Sequence, residues 1–346
     1  MPAPATQFRT ELHQLRLVRV DHRDRPAVAA SVELLNAAQR IDDPDDRPSI
    51  PELAARWLEF GWDLEPDERY LCLPTDSERP VAVLDVQLPS RDNRHLVWGH
   101  AVVHPDHRRR GHGSSLVAEL VRRAGEAGRS TIWLGCAEDD PGARAFLEAN
   151  GFHYASHDAR RKQVLADVDH KRIDRLRAQA VEAAADYELA RLLPPIADGL
   201  LEQLVEVTAA INDAPMGDLT YEDEVFDLAR LQDMETARVG RGDRMYRIAA
   251  RHKGTGVISG HTLVVVNPLQ PTYGQQGDTA VHRDHRGHRL GLLLKIEMMR
   301  WLAEVEPQVS EITTWNNADN RYMIDVNEAI GYRLSRVFAT YERSAV

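Results

Sequence analysis

The feature that most constrains this chain is that it is written twice, with a period the size of a domain. "HRRRGHG" at His107–Gly113 returns as "HRGHRLG" at His285–Gly291, so that Arg108 and Arg286, and Gly113 and Gly291, lie 178 residues apart. "ANGF" around Gly151 returns as "AIGY" around Gly331, 180 residues on. Two independent landmarks at nearly one offset imply two copies of one domain, and 346 residues suit two domains.

The segments between the landmarks read alike. In the first half "QLRLVRV" is a strand, and "PAVAASVELLNAAQ" and "IPELAARWLEF" are helices. "RYLCLP", "VAVLDVQLP" and "HLVWGHAVV" are strands with alternating or β-branched character. After the glycine loop, Leu116, Val117, Leu120, Val121 and Ala124 share one helical face, with Gly128 as its C-cap. "STIWLGC" is a strand, and "PGARAFLEAN" a helix with Pro141 in its first turn. The second half repeats this order. "YELARLL" is a strand, "IADGLLEQLVEVTAAI" and "YEDEVFDLARLQDMETARV" are helices, and "RMYRIAARH", "GVISGHTLVVVN" and a segment into "DTAV" are strands. "GLLLKIEMMRWLAEV" is a helix, "EITTWN" a strand and "NRYMIDVNEAI" a helix. The expected fold is α/β with a mixed (α+β) sheet, as two tandem domains, each a central, mostly antiparallel sheet flanked by helices. The expected domains are 1–165 and 187–346. Residues 166–186, which lack Gly and Pro, read as a connecting helix.

Composition narrows the partners. A net charge of −11 opposes nucleic acid and anionic membranes. Two cysteines, Cys72 and Cys136, exclude a disulfide framework and a cysteine-rich zinc site. The 15 histidines show no metal-ligand spacing, so no metal is expected. There is no apolar run of about 18 residues to span a membrane. The opening "MPAPATQFRTELHQ" has no apolar run of a signal peptide, and a cytoplasmic monomer or homodimer is expected.

The first glycine loop follows a strand and opens a helix. A helix start offers unbonded N–H groups and the positive end of a dipole, and glycines let the backbone approach a ligand. Successive N–H groups make an anion-binding concavity suited to a diphosphate. Arg108, Arg109 and Arg110 add charge around it. Neither GxxxxGK[ST] nor GxGxxG is present, and no aromatic residues interleave with the arginines as a nucleic-acid patch requires.

The pattern Arg-x-x-Gly-x-Gly, after "VVHP" and before an amphipathic helix, resembles the acetyl-CoA loop of the GNAT superfamily of N-acetyltransferases. "ANGF" and "AIGY" are similar to that family's late helix-to-strand junction. The likeness covers nearly the whole chain, as in tandem actinobacterial enzymes such as mycothiol synthase. It implies acetyl-CoA as cofactor and direct transfer of acetyl to the amine of a small molecule in a ternary complex. It leaves open an amino-sugar or cysteinyl conjugate as acceptor, and a non-catalytic acyl-CoA-binding scaffold. It places the cofactor on Val102, Val103, Arg108, Arg109, Arg110, Gly111, His112, Gly113 and Ser114. In the second copy it places it on Ala280, Val281, Arg286, Gly287, His288, Arg289, Leu290 and Gly291, with Asn316 and Asn320. The backbone N–H groups of Val102–Val103 and Ala280–Val281 are where an oxyanion would be stabilised.

The family's usual acid, a tyrosine four residues before the late glycine, is replaced by Leu147 and Asn327. Tyr322 is a nearby but displaced alternative. His100 with Asp85 in the first half, and Asp278, His261 and Glu224 in the second, are candidates for taking a proton from the amine. Arg289 stands where the first loop has Gly111. It is expected to lack glycine's backbone freedom and to offer a guanidinium to a phosphate instead. Asn320 also reads as a helix N-cap, Trp315 as core, Cys136 as a packed small residue, and the acidic stretch Asp42–Pro48 as a solvated loop.

Overall fold

Alternation along the strands decides which helices cover which face. In β3, Ala82, Leu84 and Val86 pack with Leu116 and Leu120, whereas Val83 packs with Leu34, Leu71 and Leu73 on the opposite face. The computed structural model describes residues 15–345, so the opening stretch read for a signal peptide lies outside the described residues. The first half comprises β1 (Leu15–Arg19), α1 (Arg25–Asp42), α2 (Pro51–Phe60), β2 (Glu68–Pro74), β3 (Ala82–Gln87), β4 (Leu96–Val103), α3 (His112–Glu126), β5 (Thr131–Ala137), α4 (Pro141–Ala149) and β6 (His153–Val164). Helix α5 (His170–Ala183) follows. The second half comprises β7 (Tyr187–Leu192), α6 (Asp198–Ala209), α7 (Leu228–Gly240), β8 (Arg244–His252), β9 (Ile258–Val266), β10 (Tyr273–Val281), α8 (Leu290–Val305), β11 (Glu311–Asn317), α9 (Arg321–Ala329) and β12 (Arg333–Ser344).

Among the described residues the strands form one mixed sheet of 12, in the order β1-β2-β3-β4-β5-β12-β6-β11-β10-β9-β8-β7. Its centre is an exchange. The chain's last strand, β12, pairs antiparallel with β5 of the first half, from Phe338 opposite Ala137 to Ser344 opposite Thr131. Strand β6 pairs in turn with β11 of the second half and with β12. Each half thus finishes the other's sheet, and separating them would break strand ladders.

In both halves the central parallel pair opens after three residues. β4 runs beside β5 only at Leu96–Trp98, and β10 beside β11 only at Tyr273–Gln275. Beyond that the strands diverge and leave a V. Helix α3 packs beneath the first V, where its Leu116, Val117 and Leu120 share a core with Val97, Ile132 and Leu134. Helices α1 and α2 cover the other face, and α2 meets α7 there, where Phe60 lies so close to Gly240 that a Cβ would fall 2.5 Å from its ring.

One expected helix is shorter than its sequence pattern. Residues 221–227 are not helical, and α7 begins only after Asp227, whose side chain accepts from Arg230 N–H at 2.7 Å. Residues 214–227 form a strap laid across the first half. Thr220 donates its N–H and hydroxyl to Glu342, Glu222 N–H donates to Asn93, and Tyr221 stacks on Trp133 with ring centroids 6.0 Å apart. These long-range bonds outweigh a marginal local helix preference. The loop between α1 and α2 makes the reciprocal crossing. Asp43 and Asp46 pair with Arg160 of β6 at 2.9 and 2.8 Å. The acidic stretch is therefore ion-paired, a correction to its reading as solvated.

Candidate active site

The two glycine loops have one backbone shape written with different residues. Each has two left-handed residues at matching positions: Arg109 (φ +61°) and Gly111 (φ +85°) in the first, Gly287 (φ +86°) and Arg289 (φ +53°) in the second. The glycine has changed places between them. The expectation that Arg289 cannot follow Gly111 is thus corrected. Arg289 adopts the left-handed conformation and caps α8, at a cost of about 1–2 kcal/mol. Its guanidinium donates to Gln179 of α5 at 2.8 Å. Left-handed residues alternating with ordinary ones aim successive N–H groups at one point, as in an anion nest. The first-turn N–H groups of Gly113 and Ser114, and of Leu290 and Gly291, have no helical carbonyl to bond. Both loops therefore fit a diphosphate.

The first arginine of each motif has another task. Arg108 donates to the Val103 carbonyl at 3.1 Å and to both oxygens of Asp42. Arg286 donates to the Val281 carbonyl at 3.2 Å and to Asp213. Each guanidinium latches its loop to the end of the strand before it and to a carboxylate near the preceding helices. Arg109 and Arg110, both exposed, carry the loop's outward charge, and Arg110 also donates to the Asp106 carbonyl at 2.8 Å. In the second loop His288 is exposed beside Tyr187, with ring centroids 5.4 Å apart. His112 is buried at the start of α3. Gly113 packs closely on α4, since a Cβ would meet the Phe146 ring at 3.0 Å.

Strand alternation fixes which N–H groups face the V. Ser130 and Thr131 N–H donate to the His95 carbonyl on the β5 side, while His104 N–H donates to Val81 on the β3 side. Every second residue repeats that direction, so Ala101 and Val103 face the opening and Val102 faces β3. In the second half His282 N–H donates to Ser259, which turns Val281 to the opening and Ala280 to β9. The expected oxyanion positions are corrected accordingly, because Val102 and Ala280 aim their N–H groups away from the V.

At the apex of the first V, His100 lies on the face of α1 and α2. Its Nδ1 is 3.5 Å from Asp85 Oδ2, and its side chain is 60% exposed. Asp85 also accepts two bonds from Arg69, at 2.7 and 2.9 Å. Burial pushes the Asp85 carboxyl up, but hydrogen bonds from His100 and Arg69 outweigh it and hold the pKa at about 2. Beside this array a cavity of about 390 Å³ opens against β2 and β3, walled by Trp57, Asp67 and, from the second half, Gln270 and Tyr273. Sequence reasoning missed Arg69, Asp67 and this wall. Arg69 opposite Asp85 on neighbouring strands was the one available signal.

The corresponding face of the second half is filled. Asp278 sits where β10 bulges, among Glu235, Arg238, Arg247 and His261, around a space of about 10 Å³, at most one water. His261 is buried, and burial, then Arg247 and Arg238, lower its pKa well below the usual histidine value. It is a neutral imidazole boxed by cations. Glu224 belongs to the strap, where it accepts from Tyr221 and Arg230. Tyr322 lies against the start of α8, its hydroxyl 3.6 Å from where a Gly291 Cβ would be. Asn316 accepts from Asn327 at 2.7 Å, and Asn320 caps α9 by accepting from Met323 N–H at 3.2 Å. Trp315 is 44% exposed rather than core, packed on Phe338. Cys136 is half-buried, and burial pushes its thiol up to about 11. Among the described residues no helix is long and apolar enough to cross a membrane.

Comparison with known proteins agrees with this geometry. Residues 33–152 match the acetyltransferase (GNAT) family. No curated protein matches the chain in sequence. Among solved structures, the chain is similar to a tandem GNAT protein from the clavulanic acid biosynthesis pathway, at 27% identity and TM-score 0.79, over 96% of this chain and 99% of that one. It shares its fold with a GCN5-related N-acetyltransferase from Sphaerobacter thermophilus, at 17% identity and TM-score 0.67, over 96% of each chain. With one sheet splayed at two places, each leading into a nest at a helix start, the chain has the fold of a tandem GNAT protein, and its residues 33–152 match the acetyltransferase (GNAT) family.

Proposed function

We propose that the first half is the catalytic copy, and that it moves an acetyl group from acetyl-CoA to the amine of a small molecule bound at the same time. The observation that carries this is the asymmetry of the two acceptor faces: a cavity of about 390 Å³ in the first half against about 10 Å³ in the second. Gly111, Gly113, Ser114 and the outward arginines would hold the diphosphate, and acetyl-CoA supplies the activated acyl group. The N–H groups of Ala101 and Val103 face the V, where a carbonyl oxygen gaining charge would be stabilised. His100, at the apex, takes the proton from the attacking amine, and Asp85 orients the ring and stabilises its cation. Leu147 cannot donate a proton to the departing thiolate, so His100 or solvent returns it. The second loop keeps the same nest and binds a second acetyl-CoA without chemistry, because its acceptor face is closed to an amine.

The test is release of free CoA from acetyl-CoA across an amine panel, read with a thiol reagent. At least one amine should give turnover, and Gly111→Glu, which sends a carboxylate into the diphosphate site, should abolish it. Calorimetry should fall from two acetyl-CoA per chain to one in that variant. Turnover that survives Gly111→Glu would move the chemistry away from the first half.

A further inference from the structure

We propose that the cavity of the first half binds a small monocationic amine through the Asp67 carboxylate, and that it rejects the same molecule when it also carries a carboxylate. This rests on the cavity being the acceptor side of the transferase, but the binding it describes does not depend on acetyl transfer.

The charges of the wall nearly balance. Asp46 pairs with Arg160 at 2.8 Å, and Asp43, which shares that guanidinium, also pairs with Arg336 at 3.5 Å. Arg47 pairs with Glu311 at 3.6 Å and lies over the Tyr273 ring at 4.5 Å. Arg69 and Asp85 hold each other at 2.7 Å. Asp67, exposed at the wall, has no ion pair or hydrogen bond within the described residues, so one negative charge lacks a counter-ion. A cation placed there completes the balance. A carboxylate on the ligand would meet no unpaired cation and would lose its hydration without compensation.

The rest of the wall suits a compact apolar body. Leu53, Ala54 and Trp57 come from α2, and Tyr273 comes from the second half. The volume is within the range of small-molecule sites. Desolvation by the surrounding wall, then the neighbouring Asp85 charge, pushes the Asp67 carboxyl up to about 6, opposed by Arg69 and His100. The charged groups around it are Asp46 and Arg47 from the loop after α1, Arg69 from β2, Asp85 from β3 and His100 from β4. Asp67 is thus ionised at neutral pH, and amine binding should fade as the pH drops through about 6.

Two matched pairs test this by calorimetry at pH 7.5: tyramine with tyrosine, and phenethylamine with phenylalanine, each with and without CoA. At least one amine should bind, its amino acid at least ten-fold more weakly, and Asp67→Asn should weaken the amine at least ten-fold while keeping or raising the wild-type melting temperature. Asp67→Ala serves as the second variant should the first fold poorly, with the same loss expected. No binding of either amine under either condition, equal binding of amine and amino acid, or wild-type affinity in a folded Asp67 variant overturns the proposal. Amine binding without any release of CoA from acetyl-CoA overturns the transferase reading instead, and leaves the cavity assignment standing.

Discussion

Asp85→Asn removes one charge and keeps the side chain's shape, and the structure sets the size of the effect. The carboxylate and its partner Arg69 are only 13% and 16% exposed, so solvent screens the pair weakly. Folding lowers the Asp85 pKa from 3.8 to about 2. At about 1.4 kcal/mol per pH unit, that difference is worth about 2 kcal/mol between the charged and neutral forms. An asparagine resembles the neutral form and should cost about that much at pH 7. Because folding lowers this pKa, the unfolded chain takes up its proton first. The contribution is complete above pH 3.8 and is lost as the pH falls towards about 2. The gap between wild type and variant, measured by urea unfolding, should shrink to about half at pH 3. A variant within about 0.5 kcal/mol of wild type at pH 7, or a gap that does not change with pH, would refute the pairing. The variant should also lower kcat, since His100 would lose the partner that orients it.

Other expectations follow from single contacts. His100→Ala should lower kcat by about 10²–10⁴-fold with little change in affinity for acetyl-CoA, measured by steady-state kinetics and calorimetry. Gly217→Ala should destabilise the chain by more than about 1 kcal/mol in thermal unfolding. It sits at φ +67°, and its Cβ would lie 2.7 Å from the Ala155 carbonyl oxygen. Residues 1–165 expressed alone should not give the sharp unfolding transition of the full chain, because β12 is missing from beside β5 and β6. A cooperative melt of that fragment would show that the exchange is dispensable.

Local features of this chain were legible in its residues, whereas pairings across the two halves were not. The amphipathic face of α3 and the loop before it were readable because the periodicity and the glycines act within a few residues. The left-handed Arg289 was not, since a residue's side chain does not announce the backbone its neighbours impose. The exchange of β6 and β12 was hidden by the repeat itself. The two strands occupy equivalent places, so each can complete either sheet, and only tertiary packing chooses. The strap was misread because Glu222, Asp223 and Glu224 continue a helical pattern whose true cap is Asp227, while the partners Asn93, Trp133 and Glu342 are far along the chain. Asp67 went unnoticed because no pattern of spacing reveals that a carboxylate lacks a counter-ion.

The most direct test is a crystal structure of the chain with acetyl-CoA bound. The diphosphate should accept hydrogen bonds of about 2.7–3.2 Å from the N–H groups of Gly113 and Ser114, with the acetyl carbonyl between the diverging β4 and β5 and pointing at Ala101 or Val103. A thioester lodged only in the second half, with β4 and β5 of the first drawn together or its V filled by side chains, would contradict it.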